Sequence, residues 1–262
     1  MNNFLIGLLT GIAGLLPGVS GSAILVFFGK YKEILENVYS FVKHPLKSVK
    51  YLLPFGLGIF MGMFLLSNVL TILLNKHILF MSILFIFLIL GTIPSMINNV
   101  TRSSSNKKDV IYFFITFILG IILLFLKGIK FSYIHDASTI YVLLMGVVLA
   151  ISTVIPGIST TILFNIFGFY NIYLDSIKNL NFSILLPLGI SFIITTFILS
   201  KLLTNLFDRN YSGTYLAILG FTISTLPALI LTKITFNLEF VLAIVLGIII
   251  SLVVNKILKR NA

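Results

Sequence analysis

Long apolar runs make up most of this chain, and they constrain its fold more than any other feature. Six uninterrupted runs lie near 51–74, 78–98, 110–127, 183–205, 214–232 and 238–256. A helix needs about 20 apolar residues to cross the hydrocarbon core of a bilayer. Charged residues make up only 10% of the sequence, whereas a soluble domain carries about 25%. The runs therefore predict an all-α polytopic membrane protein, and they exclude a soluble globular enzyme.

The net charge of +11 is spread over the polar segments between the apolar runs. The loops of a multi-pass membrane protein have this distribution, and it is an unusual one for a nucleic-acid-binding surface. We therefore expect a location in the cell membrane, the lipid bilayer as a partner, and no nucleic-acid partner. The chain has no cysteine, which excludes a disulfide-stapled secreted scaffold.

The sequence repeats itself in register. At an offset of 139 residues, Pro17-Gly18-Val19-Ser20 falls on Pro156-Gly157-Ile158-Ser159. At an offset of 133 residues, Leu52-Leu53-Pro54-Phe55-Gly56 falls on Leu185-Leu186-Pro187-Leu188-Gly189. Two blocks in register favour an internal duplication, and duplicated halves are typical of transporters. We predict a single membrane domain over 1–262, with repeat one at 1–130 and repeat two at 131–262.

Two further apolar runs, 3–29 and 139–169, are each interrupted by Pro-Gly. Each run either enters the bilayer and returns as a re-entrant helical hairpin, or crosses it once with a kink. With hairpins and a cytoplasmic N-terminus, 13 of the 18 Lys and Arg residues lie inside, whereas single crossings split these charges almost evenly. The positive-inside rule favours the hairpins. We predict two inverted-topology repeats, each with one re-entrant helical hairpin and three transmembrane helices, and cytoplasmic N- and C-termini.

Hydroxyl side chains and the start of a new helical segment follow each Pro-Gly break. The first N–H groups of a helix have no intrahelical partner, and together with hydroxyl donors they favour a phosphate or a carboxylate. A structural interpretation makes Ser20 and Ser159 helix caps, but the duplication of the breaks favours a ligand site. The predicted substrate-binding residues are Pro17, Gly18, Val19, Ser20, Gly21, Ser22, Pro156, Gly157, Ile158, Ser159, Thr160 and Thr161.

The apolar runs lack the groups that acid–base or metal chemistry needs. The seven acidic residues and the three histidines all lie in polar connections or at the ends of runs. A membrane-embedded base, proton relay or metal site needs such groups within the runs, and a serine nucleophile needs a nearby base. We therefore expect no catalytic residue, no metal and no cofactor, and a bound anion that is not chemically changed.

Two smaller patterns have structural interpretations. The spacing Gly7-xxx-Gly11 predicts a close contact between helices, and Gly7 falls on Gly146 in repeat two. Tyr31 and Tyr170 also correspond, and we predict that both rings anchor the chain at the level of the lipid headgroups.

A family resemblance is carried by two segments. They are Gly11-Ile12-Ala13-Gly14-Leu15-Leu16-Pro17-Gly18-Val19-Ser20-Gly21-Ser22 followed by Gly29-Lys30-Tyr31, and Val154-Ile155-Pro156-Gly157-Ile158-Ser159 with Gly168-Phe169-Tyr170. The chain resembles the bacterial undecaprenyl-phosphate translocase family, the PopT-type transporters, long filed as a domain of unknown function. The resemblance covers nearly the whole chain. The second motif departs from the family pattern, because Thr160-Thr161 stands where a glycine is expected after the serine.

The resemblance implies a flippase for undecaprenyl phosphate, the lipid carrier of cell-wall and peptidoglycan precursors. Such a protein would return this polyprenyl phosphate from the outer to the cytoplasmic leaflet by alternating access. The phosphate would bind to Pro17 through Ser22 and to Pro156 through Thr160, while the isoprenoid tail stays in lipid.

Two other functions are compatible with the same breaks. Integral-membrane polyprenyl-pyrophosphate phosphatases also have inverted repeats, hairpins and a Pro-Gly-x-Ser loop, but their loop continues with an arginine and works with acids in the membrane. Here Gly21 follows Ser20 and Thr160 follows Ser159, so the catalytic groups are missing. A transporter of another anion is the second alternative. The oligomeric state is left open, a homo-oligomer included.

Overall fold

Helices account for nearly all of the described chain. The computed structural model describes residues 2–14, 21–102, 107–126, 138–227 and 238–260. Within these residues the α-helices are α1 (Asn3–Gly14), α2 (Gly21–Phe27), α3 (Tyr31–Tyr39), α4 (Pro45–Lys76), α5 (Ile78–Arg102), α6 (Val110–Leu126), α7 (Thr139–Val154), α8 (Thr160–Ile166), α9 (Tyr170–Lys178), α10 (Phe182–Arg209), α11 (Tyr211–Ser224) and α12 (Leu238–Arg260). Short 3₁₀ turns occupy Ser40–Val42 and Lys107–Asp109. The prediction of an all-α protein is confirmed.

The helix boundaries follow the apolar runs closely. Five of the uninterrupted runs each correspond to one helix, although α4 begins at Pro45, before the run itself starts. In the run near 214–232, α11 ends at Ser224, Thr225 forms a turn, and the residues after Pro227 lie outside the described part of the chain. Both interrupted runs divide into two helices, α1 with α2 and α7 with α8.

The outer surface is compatible with lipid. Helix α10 and the Leu79–Asn98 part of α5 are long and apolar enough to cross a membrane, as judged by length and composition within the described residues. Large apolar side chains of α10 are half exposed or more, namely Leu186, Ile190, Ile193, Ile194, Ile198 and Leu202. A soluble protein rarely exposes so extensive an apolar face. The number of spans and the re-entrant topology stay predictions.

Backbone contact joins the first helix of each predicted repeat to the fourth. A Cβ atom added to Gly7 would lie 2.0 Å from the carbonyl oxygen of Phe55, and one added to Gly146 would lie 2.4 Å from that of Leu188. Only glycine allows α1 to approach α4, and α7 to approach α10, this closely. The two offsets place Gly146 on Gly7 and Leu188 on Phe55. The same contact therefore forms at corresponding positions, and the predicted close contact at Gly7 is confirmed.

The last helix of each predicted repeat lies against the other repeat. Helix α6 packs on α11, and α12 packs on α5. The Thr116 hydroxyl of α6 donates to the Ala217 carbonyl of α11 at 2.7 Å, which ties the first of these pairs together. The boundary between α6 and α11 is therefore built from both halves of the sequence.

Tyr31 is buried within the protein and does not face lipid, so the prediction that its ring is an interfacial anchor was wrong. Its side chain is 1% exposed, and its hydroxyl donates to the Val154 carbonyl at 2.9 Å. Its ring meets Phe207 edge-on, with centroids 6.0 Å apart. The ring fills the core between α3, α7 and α10, because a long-range contact outweighs the interfacial preference of tyrosine. Tyr170 is 36% exposed, and its anchoring role stays a prediction.

We predict that Gly146→Ala destabilises the protein by about 1–3 kcal/mol, because the new methyl group overlaps the backbone of α10. Gly189→Ala is the matched control, since Gly189 lies on α10 with no atom within 4 Å of an added Cβ. The control should be neutral or slightly stabilising. Thermal unfolding of the purified protein measures both, and equal midpoints for the two variants would contradict the close contact.

Candidate functional site

The two Pro-Gly breaks are described to different extents. Four predicted residues of the first break, Pro17, Gly18, Val19 and Ser20, lie outside the described part of the chain. Helix α2 begins at Gly21, and the Ser22 side chain is 4% exposed. The second break is described completely along its backbone, from Pro156 to Thr161.

Proline ends α7 at the second break. The residue before a proline is driven out of the helical conformation, and Ile155 is extended, with ψ at 117°. The N–H of Ile158 then donates to the Ile155 carbonyl at 3.4 Å, and the N–H of Leu163 donates to the Ser159 carbonyl at 3.2 Å. The backbone therefore turns over four residues and enters α8 at Thr160. Pro156, Gly157, Ile158 and Ser159 are all buried.

Gly157 fixes the position of this turn against α11. Its φ angle is +88°, a conformation that side chains disfavour. A Cβ atom there would lie 2.6 Å from the carbonyl carbon of Phe221 and 2.7 Å from the backbone nitrogen of Thr222. The glycine is thus required twice, by its conformation and by the closeness of the neighbouring backbone.

A chain of hydroxyl groups links the two sides of the break. The Ser152 hydroxyl donates to the Leu149 carbonyl at 2.9 Å and lies 2.8 Å from the Thr160 hydroxyl. A hydroxyl has one proton, so Thr160 donates to Ser152. The hydroxyl proton of the predicted ligand residue Thr160 is therefore used in a hydrogen bond within the protein. The Thr160 hydroxyl can still act as an acceptor. The structure gives no side-chain description of Thr161.

A narrow recess opens beside the break between α6, α8 and α11. Its lining is mainly apolar and contains two hydroxyl side chains, and its residues are Gly120, Leu123, Leu124, Gly157, Ile158, Ser159, Ile162, Leu163, Phe221 and Thr225. The Thr225 hydroxyl donates to the Thr222 carbonyl at 2.7 Å, and Ser159 is 5% exposed. None of these lining residues, all from the described part of the chain, is charged. An anion in this recess would be held by hydrogen bonds and backbone dipoles rather than by an ion pair.

A cluster of charged side chains lies next to Tyr31, where α3 meets the end of α10. The Lys32 ammonium lies 2.7 Å from an Asp208 carboxylate oxygen and 3.7 Å from one of Glu36. The hydrogen bond to Asp208, with the nearby acidic charges, raises the pKa of Lys32 above its ordinary value although partial burial opposes this. Burial raises the pKa of Tyr31. The Tyr31 phenol therefore keeps its proton and stays a donor to Val154.

Two residues near the break were missed by sequence reasoning. Ser152 lies one turn before Pro156 and is 2% exposed, and a hydroxyl so close to the break in an apolar helix was an available signal. Tyr31 was assigned to the wrong environment, and no local pattern reveals its partner 123 residues away.

Acid–base and metal-binding side chains are not gathered at the break. No group of three or more His, Cys, Asp or Glu residues able to hold a metal ion occurs within the described chain. His77 pairs with Glu239 at 2.9 Å, between the starts of α5 and α12. His135 lies outside the described residues.

The all-helical architecture and the exposed apolar faces are consistent with a helical membrane protein. The chain belongs to the undecaprenyl phosphate translocase-like family, whose sequence model matches residues 42–238. The second break lies within the matched residues, and the first lies before them.

Two curated relatives match most of the chain. A polyprenyl-phosphate transporter of Vibrio cholerae is 25% identical over 241 residues, which cover 87% of this chain and 76% of the relative. A polyprenyl-phosphate transporter of Staphylococcus aureus is 26% identical over 237 residues, covering 86% of this chain and 84% of the relative. In a comparison with solved structures, none matches the chain significantly.

We predict that Gly157→Ala destabilises the protein by about 2 kcal/mol or more, from backbone strain plus overlap with α11. Gly29→Ala is the control, because Gly29 also has a positive φ, at +64°, but has open space around an added Cβ. The free energy of unfolding of this control should fall by only about 1 kcal/mol. Chemical unfolding followed by helical circular dichroism separates the two, and a smaller loss for Gly157→Ala than for Gly29→Ala would rule out the tight contact with Phe221.

Proposed function

We propose that this protein carries polyprenyl phosphate across the bilayer, with the phosphate bound at the two Pro-Gly breaks. The observation that carries the proposal is the buried, uncharged turn from Pro156 to Ser159, in a chain of the undecaprenyl phosphate translocase-like family. The names of the two relatives point to the same substrate class. Their names also favour a transporter over the phosphatase alternative.

Hydrogen bonds would hold the phosphate at this turn. Helix α8 has only seven residues, so its dipole is small, and the free N–H groups at its start, together with the Ser159 hydroxyl, act as short-range donors. The corresponding donors of the first break would come from Ser20 and Ser22. Binding without a fixed cation suits a carrier, because the phosphate has to leave again on the other side of the membrane.

The recess is too narrow in this conformation for a whole lipid headgroup, so binding requires α6 and α11 to separate from the break. The lining of the recess by both predicted repeats supports a rocking motion of one repeat against the other. The isoprenoid tail would stay in lipid along the exposed apolar faces. In this proposal the repeats have inverted topology, and each break lies at the tip of a re-entrant hairpin.

We propose transport from the outer to the cytoplasmic leaflet. Undecaprenyl phosphate is released on the outer face when cell-wall precursors are transferred, and its return supplies the carrier for peptidoglycan synthesis. The direction follows from the gradient of the lipid, since alternating access itself is reversible.

Leaflet exchange in liposomes tests the function. The purified protein is reconstituted with a polyprenyl monophosphate, and the fraction accessible from the outer leaflet is followed with time. We expect protein-dependent exchange that falls about tenfold or more in Ser20→Ala/Ser159→Ala, because each hydrogen bond to a charged group contributes about 1.5–3 kcal/mol. Ser176→Ala is the control, since this buried hydroxyl on α9 donates to the Ile172 carbonyl away from both breaks.

Inorganic phosphate is measured in the same samples, with polyprenyl pyrophosphate as a second lipid. No phosphate release is expected from either lipid. Absence of exchange together with hydrolysis of the pyrophosphate would replace the transporter with the phosphatase. Equal rates of leaflet exchange in the double variant and in Ser176→Ala would show that the serine hydroxyls of the two breaks do not bind the phosphate during transport.

Single cysteines test the re-entrant topology, because the natural chain has none. A membrane-impermeant thiol reagent added to intact cells should label Lys178→Cys and should not label Lys47→Cys. Permeabilised cells serve as the control that both cysteines are reactive. Labelling of position 47 from outside, or protection of position 178, is incompatible with two inverted hairpins.

A further inference from the structure

Helix α3 of repeat one lies along the second half of α10 of repeat two. Three side-chain pairs hold α3 and the 3₁₀ turn after it there, in antiparallel order. Phe41 of the turn meets Phe197 edge-on with centroids 6.5 Å apart, the Lys201 ammonium lies 5.9 Å from the Tyr39 ring centroid, and the Lys32 ammonium lies 2.7 Å from an Asp208 carboxylate oxygen. Ring contact, cation–π contact and ion pair are spread over more than two turns of α10. The contact joins the two predicted repeats on one side of the break.

The same helix reaches the break itself through Tyr31. The hydroxyl of Tyr31 holds the carbonyl of Val154, the last residue of α7 before Ile155 and Pro156. The Tyr31 ring is buried against Phe207 of α10. Movement of α3 away from α10 would therefore break a hydrogen bond two residues from the proposed phosphate site.

At three described positions the corresponding helix of repeat two, α9, is more exposed than α3. The 139-residue offset equates Tyr31, Lys32 and Val38 of α3 with Tyr170, Asn171 and Ile177 of α9. The three α3 residues are buried or half-buried, whereas all three α9 residues are exposed. Two helices that correspond in sequence thus differ in environment. This asymmetry is what an alternating carrier has when one side is closed and the other is open.

We propose that the contact of α3 with α10 is the gate that closes one side of the transport path, with Tyr31 as the residue that couples the gate to the break. The structure is then the state in which the α3 side is closed and the α9 side is open. This inference rests on the proposed function for its meaning, and its test uses no substrate.

The ion pair gives the two sides unequal stability. The offsets of 139 and 133 place Asn171 at the position equivalent to Lys32, and Asn75 at the position equivalent to Asp208. The sequence therefore places a charged pair on the α3 side and a pair of uncharged asparagines at the equivalent positions on the α9 side. Removing the charge from the α3 side should shift the population toward the state in which α9 is covered.

Thiol labelling at position 170 tests the gate in detergent solution. Tyr170→Cys places the sole cysteine of the chain on the exposed face of α9, and its rate of reaction with a maleimide reports how open that side is. Addition of Lys32→Glu should slow this labelling, by up to about two- to fivefold, since a partly exposed ion pair shifts an equilibrium constant by about that factor and the labelling rate follows the open fraction. Tyr31→Phe, which changes no charge, should slow it as well.

Two variants serve as matched controls for the charge change. Lys32→Arg keeps the ion pair and should label at the parent rate. Lys47→Glu makes the same charge reversal on the exposed start of α4 and should also label at the parent rate. A merely structural role of α3 predicts faster labelling, because a loosened protein exposes position 170 further.

Unchanged or faster labelling in both Lys32→Glu and Tyr31→Phe would overturn the gate. The result is independent of leaflet exchange. Slower labelling in a protein that moves no polyprenyl phosphate would keep the gate and reject the proposed substrate. Normal leaflet exchange of polyprenyl phosphate with unaltered labelling would keep the proposed substrate and reject the gate.

Discussion

A helix broken by proline inside an apolar protein has to satisfy its backbone polar groups without water, and this constraint organises the structure around Pro156. The break is closed by local backbone hydrogen bonds of its own, by a hydrogen bond from the Thr160 hydroxyl to that of Ser152, and by direct contact of Gly157 with α11. In this conformation α11 therefore lies in direct backbone contact with the turn. The donors left over at the start of α8 are what a phosphate could use.

The fold also requires two pairs of helices, α1 with α4 and α7 with α10, to approach each other closely, and a glycine allows this in each pair. The contacts of Gly7 with Phe55 and of Gly146 with Leu188 lie at corresponding positions, and they fix each broken helix to a long one. The exchange of α6 and α12 between the halves then brings the recess into the boundary between them. What differs between the halves is the exposure of α3 and α9 at three corresponding positions.

Much of this fold could be predicted from the sequence, because the apolar runs, the prolines and the glycine spacings each act locally. The interruption at Pro156 and the glycine contact at Gly146 are examples. The environment of Tyr31 could not be predicted, since its partner Val154 is distant in sequence and interfacial preference suggested a different place. At the candidate site the sequence indicated Ser159 and Thr160, but not that the Ser152 hydroxyl accepts a hydrogen bond from the Thr160 hydroxyl. Which hydroxyl stays available depends on the rotamers that packing allows.

The central claim is that the phosphate group, and not the isoprenoid tail alone, is recognised at the breaks. Native mass spectrometry of the detergent-solubilised protein tests it most directly, with a polyprenyl monophosphate and a polyprenol of the same chain length offered together. The account predicts that the monophosphate binds in preference to the polyprenol, and that Ser20→Ala/Ser159→Ala loses this preference while still binding tails weakly. Equal binding of the two lipids to the unaltered protein would contradict it.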